Sequence, residues 1–318
     1  MKHLAIESCT ISIETLLALA EPALRLDFKK KRDLRSCMLG GHRSNIRGQG
    51  IEFDDLRAYE PFDDLRQMDW RVTARTGKPH IKLSREERER PVFLVVDFNP
   101  SMFFGTRSAF KSVIASQIAA LLAWAAYHHG DRVGGLLVSN QEILALKPRA
   151  RGNGILPLLQ ALSLFSERRP AHSTPRPYST ILEKLRNVAK PGALIFLISD
   201  FYTLETKTEG ILKNLKKHHD LRAIYLRDPL EIAPPPPAEY TLTDGVAHLY
   251  LNTRIPSIAK RYQALCDQTF EKICTIFASA TIPLLALKTT DPWLSLLHSF
   301  LNTPRTTPYA TTHTSITT

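Results

Sequence analysis

A chain of 318 residues that is 43% hydrophobic, 23% charged and 8% aromatic has the composition of a globular protein with a buried core, which excludes collagen-like and wholly disordered classes. Lys and Arg number 42 against 31 for Asp and Glu, a formal net charge of +11 that attracts acidic partners or simply keeps the chain dispersed. The four cysteines, Cys9, Cys37, Cys266 and Cys274, make no C-x-x-C pair, so neither a zinc knuckle nor a disulfide scaffold is indicated and a cytoplasmic location is expected.

In chain order, residues 1–39 read as a helical segment in which Ile11, Ile13, Leu16, Leu17, Leu19 and Leu24 supply apolar positions. A basic run, Lys29 to Arg32, follows as a solvated face. Glu7 and Glu14 stand where a signal peptide would be basic and then apolar. Residues 40–90 are crowded with Arg, Asp and aromatics and cannot make a core alone, so they are expected to form an attached subdomain.

From Pro91 the pattern becomes short apolar runs alternating with helix-length segments, which predicts parallel strands joined by helical crossovers. Strands are expected at Pro91–Asp97, Arg132–Ser139, Ala193–Ser199, Leu221–Leu226 and Ile282–Leu287, with Glu142–Leu146 as a hairpin edge. Helices are expected at Ala109–His129, Gly154–Phe165, Ile181–Val188, Leu204–His218, Ile258–Ala278 and Pro292–Leu301, with a loop over Pro170–Ser179. The longest apolar runs, Val92–Val96 and Ile118–Ala126, fall far short of the roughly 20 residues of a membrane span. Residues 302–318, rich in Thr, are expected to be disordered.

Two of the predicted strands end on an acid, Asp97 and Asp200, which puts both carboxylates outside the carboxyl ends of the sheet where open α/β folds bind ligands. In Asp97-Phe98-Asn99-Pro100-Ser101 the alternate spacing points three oxygen-bearing side chains at one spot, a donor set that suits a hard cation. The same residues equally suit a turn and a helix cap. His128-His129 and His218-His219 sit at helix ends, where imidazole can cap carbonyls. No Gly-x-x-x-x-Gly-Lys-Ser/Thr loop is present, and the basic Lys147, Arg149 and Arg151 come with no nucleic-acid motif.

The run Asp97-x-Asn99-x-Ser101, with Thr180 in a later loop and Asp200 after a later strand, resembles the metal-ion-dependent adhesion site of von Willebrand factor A-type domains. Upstream, Arg57-Ala58-Tyr59-Glu60-Pro61-Phe62-Asp63-Asp64-Leu65-Arg66-Gln67-Met68-Asp69-Trp70, then Ala74-Arg75, is close to the signature of the bacterial domain-of-unknown-function 58 family. The resemblance spans roughly Gly40 to Leu301. Asn99 stands where the adhesion site has Ser, and Phe62 where the signature has Gly.

The resemblance implies a doubly wound, mostly parallel von Willebrand A-like sheet over 91–301, with a small Arg/Asp-rich subdomain before it. It implies a weak Mg2+ or Mn2+ site made by Asp97, Asn99, Ser101, Thr180 and Asp200. The signature residues Arg57, Tyr59, Asp63, Asp64, Arg66, Asp69, Trp70 and Arg75 are expected to form an ion-pair network anchored by the two aromatics, or a partner-binding surface. It further implies a non-enzymatic interaction module, an adaptor or chaperone-like partner of a MoxR-type AAA+ ATPase; from the residues themselves, neither nucleic-acid binding nor a membrane span is expected. The alternative is a metal-dependent phosphohydrolase using Asp97 and Asp200.

Overall fold

The protein is described from a computed structural model, in which residues 9–26, 51–59, 68–86, 89–150, 153–168, 174–243, 248–302 and 309–310 are described, with backbone alone for 51–57, 81–86 and 309–310. The chain divides into two units, one of residues 1–29 with 90–318 and one of residues 30–89.

The first unit opens with two very short helices, α1 (Ile13–Leu17) and α2 (Ala20–Ala23). Ser12 caps α1 by accepting from the Thr15 N–H. In the second unit β1 (Ile51–Ala58), α3 (Trp70–Thr76) and β2 (His80–Glu86) follow, with β1 and β2 antiparallel. Asp69 caps α3, its Oδ1 accepting from the N–H groups of Arg71 (3.0 Å) and Val72 (3.2 Å), and Gly77 ends the helix at φ 70°. Trp70, the first residue of α3, is 69% exposed. Asp63, Asp64 and Arg66 lie outside the described residues, and Arg57 is described as backbone within β1, so the expected ion-pair network falls largely outside them.

The rest of the first unit runs β3 (Pro91–Phe98), α4 (Lys111–His128), β4 (Arg132–Ser139), β5 (Ile143–Arg149), α5 (Ile155–Glu167), α6 (Tyr178–Val188), β6 (Leu194–Ser199), α7 (Glu209–His218), β7 (Asp220–Arg227), β8 (Glu239–Thr243), β9 (His248–Asn252), α8 (Pro256–Ser279), β10 (Leu284–Lys288), α9 (Trp293–Asn302) and β11 (Tyr309–Ala310). Among the described residues the central sheet has seven strands in the order β11-β10-β7-β6-β3-β4-β5, and every neighbouring pair is parallel except β4 with β5. This is a mixed α/β fold with a mostly parallel sheet. Strand β11 lies in the tail expected to be disordered, where Tyr309 and Ala310 pair with Leu284 and Leu285 on the open edge of β10.

Both faces of the sheet are covered, which is why its central strands are apolar throughout rather than alternating. Leu94, Val96, Phe196 and Ile198 pack toward α4 and α5, whereas Phe93, Val95, Ile195 and Leu197 pack toward α6, α7 and the C-terminal part of α8. Helix α4 is buried on nearly every side, matching its all-round apolar sequence. Part of that cover is α1–α2, whose Leu16, Leu19 and Ala23 join the same core as Leu26 beyond them. Trp124 Nε1 donates to Leu16 O (3.1 Å), and the Nε2 atoms of His128 and His129 meet Ala20 O (3.1 Å) and Leu26 O (3.0 Å). These histidines thus cap carbonyls of the N-terminal segment rather than of their own helix. Among the described residues no helix is long and apolar enough to cross a membrane.

Other elements also depart from the sequence reading: the β8–β9 hairpin was not expected, α7 begins at Glu209 rather than Leu204, after a 3-10 turn at Thr206–Thr208, and α6 begins three residues early, at Tyr178, because Pro177 occupies its N-cap and Pro's fixed φ suits helix entry. Thr180, expected in a loop, is therefore the third residue of a helix, its N–H bonded to Pro177 O at 3.1 Å.

Asp69 supports a specific expectation. Asp69→Ala should lose at least the roughly 0.5–2 kcal/mol of a helix N-cap in chemical unfolding, whereas Asp69→Asn, which keeps the cap, should lose less.

Candidate functional site

Parallel register sets the carboxyl ends of β3, β6 and β7 side by side, and each strand ends at an acid: Asp97, Asp200 and Asp228. All three are buried. Asp97 Oδ1 accepts from the Asn99 N–H (2.8 Å) and its Oδ2 from the Ser199 hydroxyl (2.7 Å), which in turn accepts from the Phe201 N–H (2.8 Å). Asp200 Oδ1 accepts from the Tyr202 N–H (3.1 Å) and its Oδ2 from the Lys111 ammonium (2.7 Å). Lys111 Nζ also donates to Glu231 Oε1 at 2.5 Å. The Lys111 side chain has 0% exposure, Asp200 4% and Glu231 36%, so the ammonium is sealed between an inner carboxylate and one facing solvent.

Lys111 is the first residue of α4, where the helix dipole disfavours a cation, so carboxylates must hold it there. Glu231 is presented by a 3-10 turn, Pro229–Glu231, that is locked by a capping box. In it Asp228 Oδ1 accepts from Leu230 N–H and Glu231 Oε2 accepts from Asp228 N–H. Asp228 also grips the loop before α4, accepting from Thr106 N–H (2.8 Å) and the Thr106 hydroxyl (2.6 Å). That loop turns back so closely at Gly105 that a Cβ there would lie 2.2 Å from Ala109 O, which only glycine avoids.

Asp200 is followed by Phe201 at φ 50°, a left-handed conformation that costs a non-glycine residue roughly 1–2 kcal/mol. The Phe201 ring offsets this by meeting Tyr178, Phe277 and Tyr225 with centroids 5.3, 4.7 and 5.9 Å away, pairs that contribute about 0.5–1.5 kcal/mol each. The turn sends Asp200 inward and Tyr202 outward, where its side chain is 71% exposed.

Of the five residues expected at a cation site, Asp97 and Asp200 face one another closely enough for their charges to interact, and Asn99 is bonded beside Asp97. The Asn99 amide, however, pairs with backbone: its Oδ1 accepts from Arg176 N–H (2.8 Å) and its Nδ2 donates to Arg176 O (3.3 Å). Ser101 Oγ is buried with no hydrogen-bond partner among the described residues, as are Ser112 Oγ and Tyr178 Oη. Among the described residues, the hydrogen-bond partners of Asp97 and Asp200 are Asn99, Ser199, Tyr202 and Lys111, and not the Thr180 hydroxyl. Sequence reading missed Lys111, Glu231, Asp228, Ser199 and Arg176, of which Lys111 carried a signal, a lone cation heading an otherwise apolar helix.

The donor set can be tested against a divalent ion. Both oxygens of each acid already accept a protein hydrogen bond, and the Asn99 amide is engaged. An ion on the free side of Asp200 would have to share that carboxylate with the Lys111 ammonium, whose like charge repels it. The orphaned Ser101 hydroxyl is the one observation on the other side. Among the described residues no group of three or more His, Cys, Asp or Glu side chains could hold a metal ion. The residues present fit an ammonium rather than Mg2+ or Mn2+.

Burial, and then the charge of Asp200, push the Asp97 carboxyl up to about 7, against the lowering effect of its hydrogen bonds and of Lys111. Burial works to lower Lys111, but Asp200 and Glu231 outweigh it and raise the ammonium further. Glu231 is raised, chiefly by burial, although Lys111 draws it down.

Two expectations follow from these charges. Lys111→Met strands two carboxylates and should destabilise the protein by about 3–5 kcal/mol in urea unfolding, with part recovered in Lys111→Met/Asp200→Asn. Between about pH 4 and 7 the folded protein holds a proton on Asp97 that the unfolded chain has lost, so this group's contribution to stability is greatest at acid pH and drains away toward neutrality. Asp97→Asn should remove that decline, gaining on the parent by more than about 1 kcal/mol between pH 4 and pH 8.

Comparison with known proteins adds a family. The "Uncharacterized protein Rv1480" of Mycobacterium tuberculosis and "Uncharacterized protein Mb1516" of Mycobacterium bovis are each 27% identical over 290 residues, covering 91% of this chain and 90% of theirs. Among solved structures, the conserved hypothetical protein BatB of Bacteroides thetaiotaomicron aligns with a TM-score of 0.42 at 11% identity, covering 67% of this chain and 97% of that one. An uncharacterized membrane spanning protein of Vibrio fischeri aligns with a TM-score of 0.22 at 12% identity over the same shares. Residues 55–271, from within β1 to within α8, match the family described as "Protein of unknown function DUF58", and the chain belongs to that family.

Proposed function

We propose that this protein is a non-enzymatic interaction module that docks onto a partner through the carboxyl edge of its sheet, and that the partner is a MoxR-type AAA+ ATPase, as the sequence resemblance implies. The observation that carries the reading is the contrast at that edge between sealed charges and an exposed aromatic. Asp97, Asp200 and Lys111 are buried and bonded to one another's neighbours, so none is free to attack or to protonate a substrate. Directly beside them Tyr202 projects into solvent with only its backbone tied down, to Asp200. An exposed tyrosine on a rigid base is the kind of residue that dominates protein interfaces. Phe104, also exposed, lies on the same side, its ring 5.9 Å from Lys111 Nζ.

A phosphohydrolase would need the Asp97 carboxylate to reach a phosphorus atom as nucleophile or a metal as ligand. Both Asp97 oxygens are instead engaged from within, and the group titrates near neutrality. The docking reading is accordingly preferred. The excess of basic residues adds steering toward an acidic partner, so association should slow as salt rises.

Size-exclusion chromatography of the purified chain with a MoxR-type ATPase from the same organism tests the proposal. Co-elution at micromolar concentrations is expected, and Tyr202→Ala should weaken the complex about tenfold or more at an unchanged melting temperature. Absence of any complex at low and at moderate salt, or turnover of a phosphate ester that Asp97→Asn abolishes, would overturn it.

A further inference from the structure

We propose that Lys111 is the resident cation of this site: its side-chain ammonium, tethered at the start of α4, supplies the positive charge that holds the acids at the sheet's edge, and the folded protein neither needs nor takes up a divalent ion there. The inference rests on geometry. Lys111 Nζ stands 2.7 Å from Asp200 and 2.5 Å from Glu231, with no exposure of its own. A third acid, Asp97, feels both the Asp200 charge and the ammonium. Two elements that meet nowhere else in sequence, the turn after β6 and the turn after β7, are thus joined through one nitrogen atom.

The arrangement also has an inner and an outer side. Asp200 is the inner ligand of the ammonium, fixed by the Tyr202 N–H and backed by the buried aromatic cluster. Glu231 is the outer one, its side chain partly in water and its second oxygen tied to Asp228 N–H. A lysine has three N–H donors and a compact charge. Two are used by these carboxylates. The ring of Phe104 covers the ammonium at 5.9 Å. A divalent ion would have to displace an ammonium that cannot leave, because it is part of the chain.

The proposal stands apart from the partner reading, and the two fail separately: a protein blind to metal that binds no ATPase would retain this inference and lose the proposed function. The measurement is a Mn2+ titration of the full chain followed by electron paramagnetic resonance, with melting curves in EDTA, Mg2+ and Mn2+. For the parent, no saturable binding below millimolar Mn2+ and a melting temperature independent of EDTA are expected. In Lys111→Ala the melting temperature should fall, and millimolar Mn2+ should recover part of it, with a binding signal that Lys111→Ala/Asp200→Asn lacks. A saturable Mn2+ site in the parent that Asp200→Asn removes would overturn the proposal, and so would a Lys111→Ala protein as stable as the parent. Should Lys111→Ala fail to fold under every condition, the parent titration alone decides, since tight binding there refutes the inference and its absence upholds it.

Discussion

An ammonium group withdrawn from water at the start of a helix is doubly unfavourable, by desolvation and by the helix dipole, and the loops around Lys111 are arranged to satisfy it. The turn after β6 supplies Asp200, and the turn after β7 supplies Glu231. Asp228, at the root of that second turn, holds it to the loop preceding α4 through Thr106, and Thr289 at the end of β10 adds a longer contact of 3.4 Å. The connections at one edge of four adjacent strands, β3, β6, β7 and β10, therefore form a single hydrogen-bonded unit centred on one charge. Losing a member leaves another buried and unmatched, so the group is expected to fail cooperatively rather than residue by residue.

A second constraint lies just behind. Left-handed backbone at Phe201 is tolerated because its ring is enclosed by Tyr178, Tyr225 and Phe277, residues contributed by α6, β7 and α8. Helices from the far face of the sheet thereby fix the direction in which Asp200 and Tyr202 leave the strand. The core and the edge are one system here, since the strained turn exists only where the aromatic packing does.

Much of this was legible in the sequence and some was not, for physical reasons. Continuous apolar runs such as Val92–Val96 and Leu194–Ile198 announce buried parallel strands because both faces of the sheet are covered, and the acids that end them locate the edge. What each acid is bonded to is a long-range matter: Lys111 is 89 residues from Asp200 and 120 from Glu231. No local spacing reports such a pairing. Asn99 shows the same limit, since its fit to a ligand set was apparent while its pairing with the Arg176 backbone, 77 residues away, was not. The β8–β9 hairpin does carry a sequence signal, Asp244-Gly245 between two short alternating segments.

The N-terminal helices α1 and α2, five and four residues long, are far too short to persist on their own, so their form is borrowed from the α4 surface they cover. Trp124 donates its indole N–H to a carbonyl of that segment and stacks on His128. Any event that lifts the segment would transfer this indole from a partly buried, hydrogen-bonded setting to water. With Trp70 and Trp293 replaced by Phe, the fluorescence of Trp124 is therefore a built-in optical gauge of whether the first helices are seated.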